Sequence, residues 1–485
     1  MSKQKIKYTH RYLARIILEA ATPLFVGSGI TSLINDALVQ KDHHGFPMIQ
    51  GTSLMGVLRH AIEDHSDEEE RWNQFFGYQK YQESKVGVGS KVKISSAYLL
   101  LPNNQIAEGL ALSKSNKDLL ENFITLPSRQ HVRISDKGVA EENGLFENEV
   151  VPKGCRFIFE LEVKGDEKSK DNWRLLLNQL NSPLFRLGQG TRNGYGKLTV
   201  FSCRQRIFNL GESEDFDDYL EYDPSFNNSN PCLGEPITID AKEKKENEED
   251  QKFIDYKLTL EPDQSFFIFG SGFGDDEVDN TPLKEDVIKY QSDDLVFEPH
   301  SVIPATSIKG AISHRTCFYY NKLAPAPIYA DDIKEEEQLL YTGTNNTAVY
   351  ALFGAKAGSE IEENTGKKTK SKAGKRGIVI LDDIHFKDPQ EKPKIFNHVA
   401  IDRFTGGAID GALFSEKVSQ KDSMEFCVTV QRSYAEDDLI IKSLETALMD
   451  ICKGLLPLGG ITTKGHGIFT GTLSRNNTQI FTYEK

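Results

Sequence analysis

The chain contains the same pattern twice. Ile49-Gln-Gly-Thr52-Ser53-Leu54-Met55-Gly56 and Ile303-Pro-Ala-Thr306-Ser307-Ile308-Lys309-Gly310 share an isoleucine, a Thr-Ser pair, an aliphatic residue and a glycine at one spacing. Apolar residues follow at helical intervals: Leu54, Val57, Leu58, Ala61 and Ile62 in the first copy, Ile308, Ala311 and Ile312 in the second. Six further matches keep the same order. A β-rich opening run at 12–20 recurs at 256–260, and the glycine turn at 27–29 at 270–272. Phe75-Phe76-Gly77 recurs as Leu352-Phe353-Gly354, and the strand from 93 as Gly377 to Phe386. His131-Val132 with Gly144-Leu145-Phe146 recurs as His398-Val399 with Gly411, Leu413 and Phe414. Leu187 to Leu198 aligns without a gap on Leu458 to Phe469. A duplication of this length demands a fold that is built once and repeated.

The 485 residues suffice for two such units, each burying its own core. The boundaries read as a first domain over 1–204, an acidic linker over 205–252 and a second domain over 253–485. Formal charge is −14, but residues 211–250 hold fourteen Asp and Glu against three Lys. The rest of the chain is close to neutral, so a basic nucleic-acid surface is not excluded. The linker's acidity and its Asn, Pro and Ser predict little fixed structure. Six scattered cysteines without a C-x-x-C read as reduced thiols. No apolar run reaches about 18 residues, and the polar, basic N-terminus has no apolar signal region, so a cytoplasmic protein with no membrane contact is expected.

The helix entries are the first candidate sites. Ser53 is predicted as an N-cap, and Arg59 lies one turn on. Free N–H groups, a hydroxyl and a cation together suit a phosphate. The second copy offers Ser307, Lys309 and Arg315. The late loops, Gly188-Gln-Gly190-Thr-Arg192 through Lys197 and Gly459-Gly460 through Lys464, permit close backbone approach to phosphates. The same glycines would equally serve a tight β-turn. Asp36 precedes the first helix, where a carboxylate could face the same ligand.

These motifs in combination resemble the RAMP superfamily, and specifically the backbone subunits of type III CRISPR effector complexes, here as two fused copies of III-D-like type. The motifs are the early glycine turn, Asp36 ahead of a hydrophobic strand, the Thr-Ser-x-x-Gly helix entry, Ile401-Asp402-Arg403 with Ala412-Leu413-Phe414, and the late glycine loop. The resemblance implies an α+β fold: two tandem RRM-like, ferredoxin-like domains, each with a β-hairpin thumb. It implies partners: crRNA, target RNA, a large polymerase-like subunit, a small subunit and other RAMP subunits. It places Asp36 at the family's catalytic position for cutting guide-paired target RNA with Mg2+ or another divalent metal, for which Asp36 would be the ligand. It places Phe146 and Phe414 where the thumb wedges into the duplex, and Arg403 among the RNA contacts.

The second copy departs from this pattern. Counting back from Ile303, Tyr290 takes the place of Asp36, with Asp293 and Asp294 nearby but out of register. The second half is therefore expected to bind RNA without cutting it. The alternative is a purely structural RNA-binding subunit in which Asp36 has no catalytic part.

Overall fold

The computed structural model describes residues 8–31, 36–63, 69–79, 87–102, 105–106, 117–135, 138–228, 230–239, 252–263, 266–269, 277–292, 294–356, 360–362, 368–370, 374–387, 394–432 and 437–484. Each half is built on an antiparallel sheet. In the first, His10–Ala20 lies between Leu198–Asn209 and Arg156–Gly165, with Ala97–Leu100 and then Met48–Ile49 beyond. In the second, Phe253–Pro262 lies between Met424–Gln431 and Phe469–Arg475.

Helices close one face of each sheet. Gly51–Glu63 buries Leu54, Leu58 and Ile62, and Lys170–Asn178 buries Trp173, Leu176 and Leu177. Ala305–Leu323 and Asp438–Cys452 do the same in the second half, through Ile308 and Ile312 and through Leu444, Leu448 and Ile451. The apolar residues recur every three or four positions because only one side of each helix meets the sheet. The β-hairpins Ser128–Ile134 with Ala140–Glu149, and Lys394–Ile401 with Ala408–Gln420, are the two thumbs. This is the expected α+β tandem.

The two central strands differ in burial, and the linker is the reason. Ile254, Tyr256, Leu258 and Leu260 are buried in strict alternation with more exposed residues, so that sheet has a solvated face. Along His10–Ala20, residues Tyr12 to Ile16 are buried without a break. Their second face is covered by the segment expected to be unstructured. The strand Leu198–Asn209 runs through the expected boundary at 204, and a helix follows at Ser213–Glu221. Leu13, Phe208 and Leu233 form a small core there, with Tyr219 and Tyr222 against it. Arg15 donates to Glu160 (2.9 Å) and carries Phe226 against its guanidinium, 5.4 Å from the ring centre. Aromatic residues in the acidic segment supply the apolar area that its overall composition conceals.

The hairpin before the helix entry is much longer in the second half. Gln40 donates to Val26 O (2.7 Å) as Leu283 donates to Phe269 O (3.0 Å), so Gln40 and Leu283 correspond. Nine positions separate Gln40 from Ile49, and twenty separate Leu283 from Ile303. The extra length forms the strands Lys284–Tyr290 and Leu295–Ile303, which lie against the first half. Ile288 N–H donates to Lys153 O (2.8 Å). Gly154, at φ +94°, admits this approach, because a Cβ there would stand 2.0 Å from Ile288 O. Tyr290 donates to Leu100 O (2.6 Å), accepts from Arg156 N–H (3.0 Å) and stacks on the Arg156 guanidinium. Ile288 and Leu295 belong to the first half's core.

A buried ionic cluster completes the junction. Arg129, on the first thumb, is 2 % exposed and holds Glu285 and Asp383 of the second half, both at 2.5 Å. Arg186 and Lys197 both hold Asp382, at 2.5 and 2.8 Å. Burial disfavours the Arg129 charge, yet Asp383 and then Glu285 outweigh it and hold its pKa well above the ordinary value. Burial also disfavours the Glu285 charge, and Arg129 foremost, with His385, brings its pKa down to about 2. His131, one turn of the pleat away, is lowered to about 4 by burial and then by the Arg129 charge.

Two outcomes follow. Tyr290→Phe leaves Leu100 O and Arg156 N–H without their partner and should cost about 1–3 kcal/mol in urea unfolding. Both lowered pKa values act in one direction. Above its unfolded value a group with a depressed folded pKa contributes fully, and the contribution is lost as pH falls through the folded value. Melting temperature should therefore fall on acidification, first as pH drops from about 6.5 (His131) and then from about 4.3 (Glu285). In His131→Gln the first stage should shrink to what His300, lowered by burial, contributes, and the second should remain.

Candidate nucleic-acid interface

Asp36 sits in a bend, exposed, pinned to the first thumb. Its N–H donates to Glu147 O (3.0 Å), and its Oδ2 accepts from Glu147 N–H (2.9 Å). The next residue, Ala37, bridges Asn148 in parallel. The second half repeats this arrangement at Asp279. Its N–H donates to Ser415 O (3.1 Å), its Oδ2 accepts from Ser415 N–H (2.8 Å), and Asn280 bridges Glu416 in parallel. The Ser415 hydroxyl adds a further bond to Oδ2 (3.1 Å). Asp279 is likewise exposed.

The counterpart of Asp36 is thus Asp279, and the assignment to Tyr290 is corrected. Counting back from Ile303 ran through the enlarged hairpin and stopped inside it. Tyr290 serves the junction between the halves. Asp294 lies at the hairpin turn, where Gln291 N–H donates to its carbonyl (2.9 Å), and Asp293 falls outside the described residues. The ground for expecting a second half without a carboxylate is removed.

Each carboxylate anchor adjoins an aromatic pair. Phe146, next to Glu147, stacks on His131 (ring centres 4.9 Å apart, 17° between planes), and Phe414, next to Ser415, stacks on His398 (4.6 Å, 18°). Both phenylalanines therefore lie along their own hairpins. Phe146 is still 38 % exposed, and both thumbs expose further apolar side chains, among them Val139 and Leu145 on the first and Ile401, Phe404 and Leu413 on the second. The histidines then differ. His131 Nε2 meets the Tyr195 hydroxyl at 2.6 Å. His398 meets the fully buried Glu416 at 2.9 Å, and His466, at the position of Tyr195, approaches the same carboxylate oxygen at 3.5 Å.

The helix entries are not built as expected. Ser53 is not the N-cap: the helix starts at Gly51, and Ser53 N–H already donates to Gln50 O (3.0 Å). Ser307 is likewise inside its helix, which is capped by Pro304. The side chains that meet the first N–H groups come from a neighbouring strand turn. Ser96 Oγ accepts from Gly51 N–H (3.4 Å), and Asp383 Oδ1 accepts from Ala305 N–H (2.7 Å).

Most of the basic residues assigned to RNA face protein. Arg192 is buried and donates to Gly377 O (3.0 Å), while Lys197 pairs with Asp382. Lys309 donates to Arg192 O (3.1 Å) and Asn193 Oδ1 (3.0 Å), and burial followed by the Arg192 charge lowers its pKa to about 8. Arg59 holds Asn73 (2.6 Å), and Arg315 donates to Leu455 O (2.7 Å). The late glycines serve backbone packing: a Cβ on Gly188 would stand 2.0 Å from Phe25 O, and one on Gly459 would stand 2.4 Å from Ile268 O. Gly190 lies under the Tyr195 ring and Gly460 beside Ile268. Lys464 and Arg403 remain exposed, Lys464 with its ammonium 4.7 Å from the centre of the Phe414 ring.

Sequence reasoning missed Arg129, Glu285, the Asp382-Asp383 pair and Asp279. A signal existed for the pair: two adjacent carboxylates interrupt the apolar run Ile378 to Ile384, and a strand keeps buried charge only with partners.

The RAMP superfamily model matches residues 17–199 and 238–470. No curated protein matches the chain. Among solved structures, one similar chain is described as "Type III-B Cmr-beta Cryo-EM structure of the Apo state", at 17% identity, covering 39% of this chain and 97% of its own, with a TM-score of 0.30. Two family matches in tandem span most of the sequence, each over one of the sheets described above: the chain belongs to the RAMP superfamily, as two fused copies.

Proposed function

We propose that this chain is a crRNA-binding backbone subunit of a type III CRISPR effector, and that it cuts guide-paired target RNA at two places, Asp36 and Asp279. RAMP membership supports the setting. One observation carries the chemistry: in both halves an exposed carboxylate is fixed to thumb backbone by the same pair of hydrogen bonds. Base pairing would supply sequence, while the protein reads duplex shape and phosphates. Lys464 and Arg403, both exposed, would contact phosphate, and exposed apolar side chains of the thumbs, Leu145, Phe146 and Leu413 among them, would enter a base step.

A lone carboxylate can position a metal ion or accept one proton, but it cannot be acid and base together. Among the described residues no three His, Cys, Asp or Glu converge to hold a metal. Mg2+ suits such a site, since it binds through one or two carboxylates and takes its remaining ligands from phosphate and water. Bound there by Asp36 or Asp279, a divalent ion would stabilise charge on the scissile phosphate. The chain's own part is to hold that carboxylate and to seat the RNA against the thumb. Other effector subunits, of the large, small and RAMP types, would complete the cytoplasmic assembly.

The test is target cleavage by the reconstituted complex with crRNA and Mg2+, read on a denaturing gel. Two cuts are expected. Asp36→Ala should slow one and Asp279→Ala the other, each by about 10²–10⁴-fold, with target binding unchanged. Unchanged cuts in the double variant would make the chain an RNA-holding scaffold.

A further inference from the structure

The acidic segment lies on a sheet face whose charge is opposite to its own. Cross-strand pairing sets Arg11 beside Lys164 and Phe208, Leu13 beside Arg206 and Glu162, and Arg15 beside Arg204 and Glu160. Directly paired residues share a side of the sheet, and here it is the side that the segment covers. Between Arg11 and Ile17 the paired strands bring Glu160 and Glu162 to that side and no other carboxylate among the described residues. The segment holds eight Asp and Glu over 212–235 and no Lys or Arg.

The segment meets the arginines with rings and carboxylates. The Arg11 guanidinium lies 6.0 Å from the centre of the Tyr219 ring, and that of Arg15 lies 5.9 Å from Tyr222 and 5.4 Å from Phe226. Arg206 holds Asp215 at 2.9 Å and Asp218 at 2.6 Å. Flat rings in a row over the arginines of one strand, with anions beside them, are what a single strand of nucleic acid offers through its bases and phosphates. An apolar cover alone would need neither, since Leu233 already closes over Leu13 and Phe208. Beneath the segment the sheet keeps rings of its own. Phe208 lies against Tyr219, with centres 5.4 Å apart, and Tyr98 against Phe226, at 6.0 Å.

The uncovered sheet of the second half has a different composition. Its solvated side presents Asp255, Lys257 and Thr259 opposite Thr429, Cys427 and Glu425, a set with one cation and no ring. The half whose sheet is cationic is the half that carries the cover.

We infer that the sheet face of the first half binds single-stranded nucleic acid when bare, and that the acidic segment masks it by presenting rings and carboxylates in the place of bases and phosphates. Uncovered, the face would stack bases on Phe208 and Tyr98 and hold phosphates on Arg11 and Arg206. The mask keeps RNA off this side of the chain. The inference stands apart from cleavage, since it needs neither Asp36 nor Asp279.

Fluorescence anisotropy of a labelled oligouridylate of about ten nucleotides, titrated with the full chain at low salt and without crRNA, tests it. In an opened chain, residues 212–228 are replaced by Gly and Ser at equal length. The opened chain should bind about tenfold tighter than the unmodified one, and lose affinity more steeply as salt rises. Adding Arg11→Ser and Arg206→Ser should return it to the unmodified affinity. An opened chain that is folded by its melting curve and gains nothing overturns the inference, as does a gain that survives the two serines. Polyglutamate at equal charge should displace the RNA poorly. Displacement as good as by unlabelled RNA would mean that an acidic protein fits the face equally well, and would also overturn the inference. If the opened chain does not fold, Asp215→Asn, Asp218→Asn, Tyr219→Ser and Phe226→Ser replace it, leaving the backbone of the segment intact, and absence of a gain counts in the same way.

Discussion

Asp383 is the residue on which the arrangement turns. Its side chain is fully buried, and its two oxygens are divided between the halves. Oδ1 accepts from the first N–H of the helix Ala305–Leu323, and Oδ2 holds Arg129 at the base of the first thumb. Gly194 of the late loop lies against it. One carboxylate therefore sets the thumb of one half relative to the helix entry of the other. A buried charge of this kind contributes little net stability when paired, but removing one partner costs about 3–5 kcal/mol, because the other charge is left uncompensated. Such a cluster defines a geometry more than it deepens a minimum, and a fixed geometry is what the two proposed carboxylate sites would require.

The repeat made the fold readable. Helices and central strands followed from apolar spacing and from the order of the seven matches, and the thumbs from the family resemblance those matches carry. The tandem was legible from the repeat, and its ferredoxin-like character from the resemblance. Asp36 was accessible as a candidate through the resemblance, though not its hydrogen bonds to the thumb. Its partner was not, because register arguments carry an alignment only as far as the next insertion. Eleven added residues between Leu283 and Ile303 moved the apparent match from Asp279 to Tyr290.

The basic residues were harder for a physical reason. Arg192, Lys197 and Lys309 lie in glycine-rich or helix-entry segments that would suit phosphate, and their pattern does not distinguish a phosphate from a carboxylate or a carbonyl. The answer lay far along the chain, in Gly377 for Arg192, Asp382 for Lys197, and Arg192 O with Asn193 for Lys309. The linker misled through averaging. Its charge predicts solvation, but Phe208, Tyr219, Tyr222 and Phe226 are spaced so that each can turn to the sheet.

The long hairpin Lys284–Ile303 also bears on how the protein is made. The first half leaves the ribosome with its last strand, Leu198–Asn209, already available, yet part of its core is supplied by Ile288, Tyr290 and Leu295. At about 5–20 residues per second, the nascent first half waits on the order of ten seconds with that apolar surface uncovered. Fusion of the two copies shortens that wait to the time of one uninterrupted synthesis. Two separate polypeptides would have to find each other by diffusion while the same surface stayed open to water.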